Sequence, residues 1–298
     1  MRLVLRLISL TITTAWLAGC QDRTAAPGPD TRPAAAASVP AGATDDQPAA
    51  LMAQVFPGWT ATPAFAASVP AAQGGAQEGL LVSPLMAVPL DAEHRALVVV
   101  GQPDDGSGQP QQFNATQVNV GVYGFERRDG RWVRTFSKPS LAWTGANGQV
   151  GQAKAHQLGG GRVALTFQSG LCAQDVCSEW VRVFSLDADG TRALTPDLKI
   201  AHKLEDAPGC ARWLAGDPPA DAEKDDPVTP DNCVDVTGSW HFETTGADGW
   251  PDLVVDFKGR RPVADASGTL APKTVDGAWR LRHDGSGYRA ASGRNPLD

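Results

Sequence analysis

From Leu80 onward, apolar and polar residues alternate with a period of two. Residues 80–88 and 96–100 flank a turn around residues 91–94. Val118, Val120 and Val122 alternate and lead to Phe125. Arg128-Asp129-Gly130-Arg131 then turns the chain, and residues 132–136 return. Gly159-Gly160-Gly161 links residues 156–158 to 162–167, and Trp180, Arg182 and Phe184 interleave with Val181, Val183 and Ser185. Successive side chains of a strand point to opposite faces, so such alternation about Gly-rich turns predicts antiparallel hairpins. Helical periodicity is scarce. Asp46 precedes Pro48 and the run 49–55, and Pro57 and Gly58 stop it, which predicts one short helix with Leu51, Val55 and Phe56 turned to the core. No second long amphipathic stretch follows, which argues against a sheet with crossover helices. The expectation is an all-β fold: a propeller-like or sandwich array of antiparallel hairpins with one short N-terminal helix.

Outside this region the pattern fades. Residues 21–45 are mostly Ala, Pro, Thr, Gly and Asp, too poor in large apolar side chains to offset the entropy of ordering. They read as a tether that reaches on the order of 75 Å when extended. Residues 59–78 are small and Pro-containing, and read as irregular surface packing. Asp129-Gly130, Asp189-Gly190 and Asp248-Gly249 recur at nearly even spacing, each a few residues after Phe125, Phe184 or Phe242. Asp276-Gly277 and Asp284-Gly285 supply further turns that break the spacing. Regular strand-turn units are the signature of a repeating array.

The N-terminus adds an address. Arg2 and Arg6 head a largely apolar stretch, residues 7–18, that ends in Leu17-Ala18-Gly19-Cys20. The stretch is too short to span a bilayer. It resembles the signal peptide and lipobox of bacterial lipoproteins. The resemblance implies cleavage before Cys20, a diacylglyceryl group on its thiol, and three acyl chains that hold the protein to a membrane. Gln21, where Asp favours the inner membrane in that family, implies the outer membrane, facing the periplasm. The chain thus divides into a signal peptide (1–19), a lipid-anchored disordered tether (20–45) and a single mostly-β periplasmic domain (46–298).

Charge and cysteines refine this picture. The formal net charge is −7, and the leader carries two arginines and no acid, so the mature chain is more acidic still. Nucleic acid, which needs a basic surface, is excluded as a partner. Cys172, Cys177, Cys210 and Cys233 remain after Cys20. In an oxidising compartment an even count predicts two disulfides. Three pairings are open, and proximity favours Cys172–Cys177 and Cys210–Cys233. The second pair would close a stretch holding Asp221, Glu223, Asp225 and Asp226 into an acidic loop suited to a cationic protein partner. The first would staple a hairpin tip.

The segment Asp248-Gly249-Trp250-Pro251-Asp252 resembles the calcium loop of FG-GAP/VCBS-type propeller repeats. That resemblance implies Ca²⁺ on Asp248 and Asp252, but Thr244 and Gly246 stand where the family places further ligands, so the segment reads as a strand-turn of that architecture with a lost metal site. Trp250, between Gly249 and Pro251, is expected to be exposed and to contact a protein or a carbohydrate. No catalytic residue is assigned. The histidines are scattered singly, so each reads as a surface or packing residue, and neither a zinc-helix motif nor a nucleophile elbow is present. The expectation is an outer-membrane-anchored periplasmic lipoprotein that acts as a protein-binding accessory or inhibitor module. The alternatives are an envelope hydrolase or glycan-binding protein, and a calcium-stabilised structural module.

Overall fold

The computed structural model describes residues 47–61, 65–70, 77–159, 162–173, 176–204, 208–216, 233–244 and 249–298. Cys20, the leader and tether, the acidic residues Asp221, Glu223, Asp225 and Asp226, and Asp248 lie outside them. The described part opens with α1 (Pro48–Val55), whose Leu51 and Met52 are fully buried. Pro48 sits in the first turn, where a missing N–H costs nothing.

Five strands follow: β1 (Ala66–Pro70), β2 (Gln77–Pro89), β3 (His94–Pro103), β4 (Val118–Arg128) and β5 (Arg131–Thr144). They pair in sequence order as an antiparallel meander. The β4–β5 turn falls at Asp129-Gly130, both with positive φ (50° and 78°). Asp and Gly tolerate that region best, and it matches the twist of the flanking strands.

The second sheet contains β6 (Gln152–Gly159), β7 (Arg162–Ala173), β8 (Val176–Asp187), β9 (Gly190–Ala193), β10 (Leu198–Leu204), β11 (Asp235–Glu243), β12 (Asp252–Ala264), β13 (Leu270–His283) and β14 (Tyr288–Ser292). Its order is β14-β13-β12-β11-β10-β8-β7-β6, all antiparallel, with β9 hairpinned onto β8. A second helix, α2 (Pro208–Ala215), lies between β10 and β11.

Three cores hold these layers. On one face of the first sheet, α1 covers Leu97, Val99, Tyr123 and Phe125. On the other face, Ala96, Val98, Val120 and Val122 meet Val163, Leu165, Phe167, Phe184 and Leu186 of β7 and β8. This is a sheet-on-sheet contact, and each large side chain in it contributes about 1.5–3 kcal/mol by leaving water. The opposite face of β7 and β8 carries Ala164, Val181 and Val183. The second sheet curls until these meet Val236, Leu253, Val255, Phe257 and Leu281 from β11, β12 and β13. β8 is therefore buried on both faces, which is why its sequence runs apolar beyond simple alternation.

The fold is all-β with a short helix near its start, and the sandwich, partly rolled into a half-barrel, is the form it takes. Four details differ from the sequence pattern. Residues 66–70 form the edge strand β1, where Pro70 interrupts no inner ladder. α2 was not expected; it is short and packs mainly around Cys210, Leu214 and Cys233. Asp276-Gly277 makes no turn, because it lies within β13 opposite Phe257 and Lys258. The evenly spaced Asp-Gly turns are not equivalent: Asp129-Gly130 closes β4–β5 in one sheet, whereas Asp189-Gly190 closes β8–β9 in the other. The expected Cys172–Cys177 and Cys210–Cys233 bonds both form.

Candidate binding cleft

The inner face of the curled sheet changes character toward its β6 edge. Strand alternation places Lys154, His156 and Leu158 of β6 on this face, beside Ala164, Thr166 and Gln168 of β7. The same alternation turns Gly238, Trp240 and Phe242 of β11 inward, opposite Phe257, Val255 and Leu253 of β12. The curl brings these two strips face to face. Near the centre the strips are apolar and closed, but toward the edge they carry polar and aromatic side chains and leave a cleft.

Three rings define the cleft. His156 meets Phe242 at 5.1 Å between centroids and Trp240 at 5.7 Å, and Trp240 meets Phe242 at 5.9 Å, all edge to face. This arrangement sets a positive ring edge against a negative ring face. Hydrogen bonds fix the rings further. Trp240 Nε1 donates to Gln168 Oε1 (2.9 Å), and Gln168 Nε2 donates to Glu179 Oε2 (3.0 Å). His156 Nε2 lies 3.0 Å from the Thr166 hydroxyl, which has the Lys154 carbonyl as its other partner. A neutral imidazole has one donor and one acceptor nitrogen, so Nε2 engages the hydroxyl and Nδ1 keeps the complementary role. Burial, with Lys154 nearby, holds the His156 pKa below the ordinary imidazole value, so the ring is neutral at pH 7.

Two adjoining cavities make up the cleft. One, of about 510 Å³, lies among Lys154, His156, Gln168, Ser239, Trp240 and Phe242. The other, of about 370 Å³, lies among His156, Gln157, Phe242, Thr244, Trp250 and Pro251. They share His156 and Phe242, so the two spaces adjoin on either side of these touching rings. Among the described residues, no carboxylate lines either cavity.

Below the second cavity is a rigid floor. Trp250 is only 9 % exposed and stacks on His283 at 4.9 Å, nearly parallel (16°). This corrects the expectation of an exposed Trp250. The Gly249-Trp250-Pro251 turn dips inward, because the Tyr288 hydroxyl donates to the Pro251 carbonyl (2.8 Å) and the indole completes the core of the curl. Gly249, at φ 76°, packs so closely on the Arg162 guanidinium that a Cβ would collide with it. Asp252 is 1 % exposed. Arg282 reaches its two oxygens from Nε and Nη2 (both 3.2 Å), and Arg280 adds a third contact (3.3 Å) while also pairing with Glu243. Hydrogen bonding raises both guanidinium pKa values, from Glu243 first for Arg280 and from Asp252 first for Arg282. The Asp252 carboxylate thus faces two fixed positive charges, which oppose a divalent cation there.

The remaining expected residues lie elsewhere. Cys172 and Cys177 sit opposite each other at the β7–β8 tip, with Cα atoms 4.0 Å apart. Cys210 and Cys233 are both buried and fasten α2 to the chain entering β11. A further cavity of about 310 Å³ lies among Trp143, Thr144, Ser169, Leu171, Trp180 and Asp197.

Of the residues that form the cleft, sequence reasoning singled out Trp250 alone, and for the wrong reason. His156 stood as an isolated histidine, and Trp240 was not singled out. The available signal was the pair of alternating triplets, Lys154-His156-Leu158 and Gly238-Trp240-Phe242, each mixing polar or small groups with rings. No protein-family model matches the chain, and no curated protein matches it.

Proposed function

We propose that this chain is a lipid-anchored envelope protein that works by binding, with the cleft between β6–β7 and β11 as its binding site. The observation that carries this reading is the locked aromatic trio of His156, Trp240 and Phe242 between two adjoining cavities. Concave sites lined by rings, with a few oriented polar groups, are the usual form of a ligand pocket, and each cavity falls within the ordinary range of about 300–1,000 Å³. The anchor reading is supported by the lipobox-like segment ending at Cys20 and by Gln21, which favour a domain tethered in the periplasm.

The anchor is tested by growing cells with labelled palmitate. Label is expected on the parent protein and absent from Cys20→Ser. An unlabelled parent, or equal label on both, contradicts it. The binding site is tested by Trp240→Ala, which is expected to remove binding of the protein's ligand without unfolding it.

A second reading keeps the acidic interface. The Cys210–Cys233 bond brings to 5.1 Å the two ends of the stretch holding Asp221, Glu223, Asp225 and Asp226. A stapled stretch of that charge suits a cationic protein, such as a basic enzyme acting on the cell wall. This reading requires affinity that falls steeply with salt.

A further inference from the structure

The side chains around the cleft discriminate among ligand chemistries. Lys154 is the one Lys or Arg among the described lining residues, and no described carboxylate answers it there. A metal cation finds no hard oxygen pair in this space, and a phosphate finds no fork of donors. A lipid tail would strip water from Lys154, His156 and Gln168 without replacing their hydrogen bonds, which is costly. The groups present are mixed instead. His156 Nδ1 offers one hydrogen-bonding position, the Lys154 ammonium donates, and the Thr244 hydroxyl both donates and accepts.

Resting on the reading that this cleft is the binding site, we propose that its ligand is an uncharged saccharide chain. A sugar hydroxyl both donates and accepts, so it pairs with each member of this set. The C–H faces of a sugar ring are apolar and pack on aromatic rings, as Trp240 and Phe242 allow. Two of the polar groups are held before any ligand arrives: Gln168 between Trp240 and Glu179, and His156 on Thr166. Such preorganisation lowers the entropy lost on binding. The two cavities lie on either side of His156 and Phe242, so a linear chain of more than one ring can lie across these rings and place a sugar in each.

The test uses the mature protein in a zwitterionic detergent that carries no sugar headgroup. Tryptophan fluorescence and calorimetry follow titration with chitotetraose, with cellotetraose, and with an uncharged Ala-Gly hexapeptide. At least one tetrasaccharide is expected to bind with a Kd below about 1 mM, and binding is expected to weaken by about tenfold or more in Trp240→Ala. Thr244→Arg is expected to do the same. Thr244 is exposed and lines the second cavity, so a long side chain there blocks the cleft without touching the core. Saccharide binding that survives both substitutions overturns the proposal by placing the site elsewhere. Hexapeptide binding that Thr244→Arg abolishes, with no saccharide bound, overturns the saccharide but leaves the cleft as the binding site. Failure of all three probes at millimolar concentration overturns the proposal and counts against the cleft as well.

Discussion

Single residues in this protein show how burial and charge set behaviour. Asp252 is a buried carboxylate whose partners, Arg280 and Arg282, reach toward solvent. Removing its charge leaves two like charges side by side over the core. Loss of one member of a buried pair typically costs 3–5 kcal/mol, and the exposure of these arginines reduces that, so Asp252→Asn is expected to cost about 2 kcal/mol in chemical denaturation. An unchanged midpoint would contradict the ion-pair role. His156 and His202 act in the opposite sense. Burial lowers both pKa values, with Lys154 and Lys199 adding to the effect. The unfolded chain, with histidines near the ordinary value of about 6.5, then binds protons that the fold resists. Stability is full above that pH and falls as the pH drops from it toward the lower folded values. Asp105, Asp265 and Asp284 add a second step. Each accepts from a serine hydroxyl (Ser107, Ser267 and Ser286) and from backbone N–H groups, which hold its pKa below the usual carboxylate range. Their contribution is present above about pH 3.9 and is lost as the pH falls through that value toward the folded ones. Thermal melts from pH 8 to pH 3 are expected to show a plateau and then two declines. A melting temperature that rises on acidification through pH 6 would contradict the histidine assignment.

At the scale of elements, the strands that alternate cleanly were legible. β3, β4, β5, β7 and β8 fall where the period-two runs and the Asp129-Gly130 turn put them. The helix α1 follows from Pro48 and its stop at Pro57-Gly58. What was hidden depended on partners distant in sequence. β1 is a strand because β2 offers an edge, and Asp276-Gly277 stays extended because β12 pairs through it. The cleft was hidden for the same reason: nothing in Lys154-His156-Leu158 announces that a strip 84 residues onward, around Trp240, will fold over it. The disulfides act at this scale. Cys210–Cys233 closes a long stretch, with a separation of 23 residues, and its loss in Cys210→Ala/Cys233→Ala is expected to cost about 3 kcal/mol in the chain-entropy account. Cys172–Cys177, with a separation of 5, joins residues already held by the β7–β8 ladder and constrains little more of the unfolded chain. Its loss is expected to cost the smaller amount, and the reverse order in paired denaturation curves would contradict this ranking.

For the whole described unit, burial on both faces of β7 and β8 decides the architecture. One face binds the first sheet through Phe167 and Phe184, packed edge to face at 5.8 Å, and the other lies inside the curl. Phe167→Ala is therefore expected to loosen the contact between the sheets and to cost about 3–5 kcal/mol. The curl that this packing supports turns two modest strips of sequence into a lined cleft. The tether and lipid expected from residues 1–45 would hold that cleft in the periplasm, within reach of the envelope's polymers. The central claim is that this cleft, and no other cavity, is where the ligand binds. Its most direct test is the ¹H–¹⁵N spectrum of the tryptophan indoles during titration with chitotetraose, because tryptophans mark both candidate spaces. The account predicts that the Trp240 indole signal moves while those of Trp143 and Trp180 stay in place. Movement of Trp143 and Trp180 with Trp240 unchanged would contradict it.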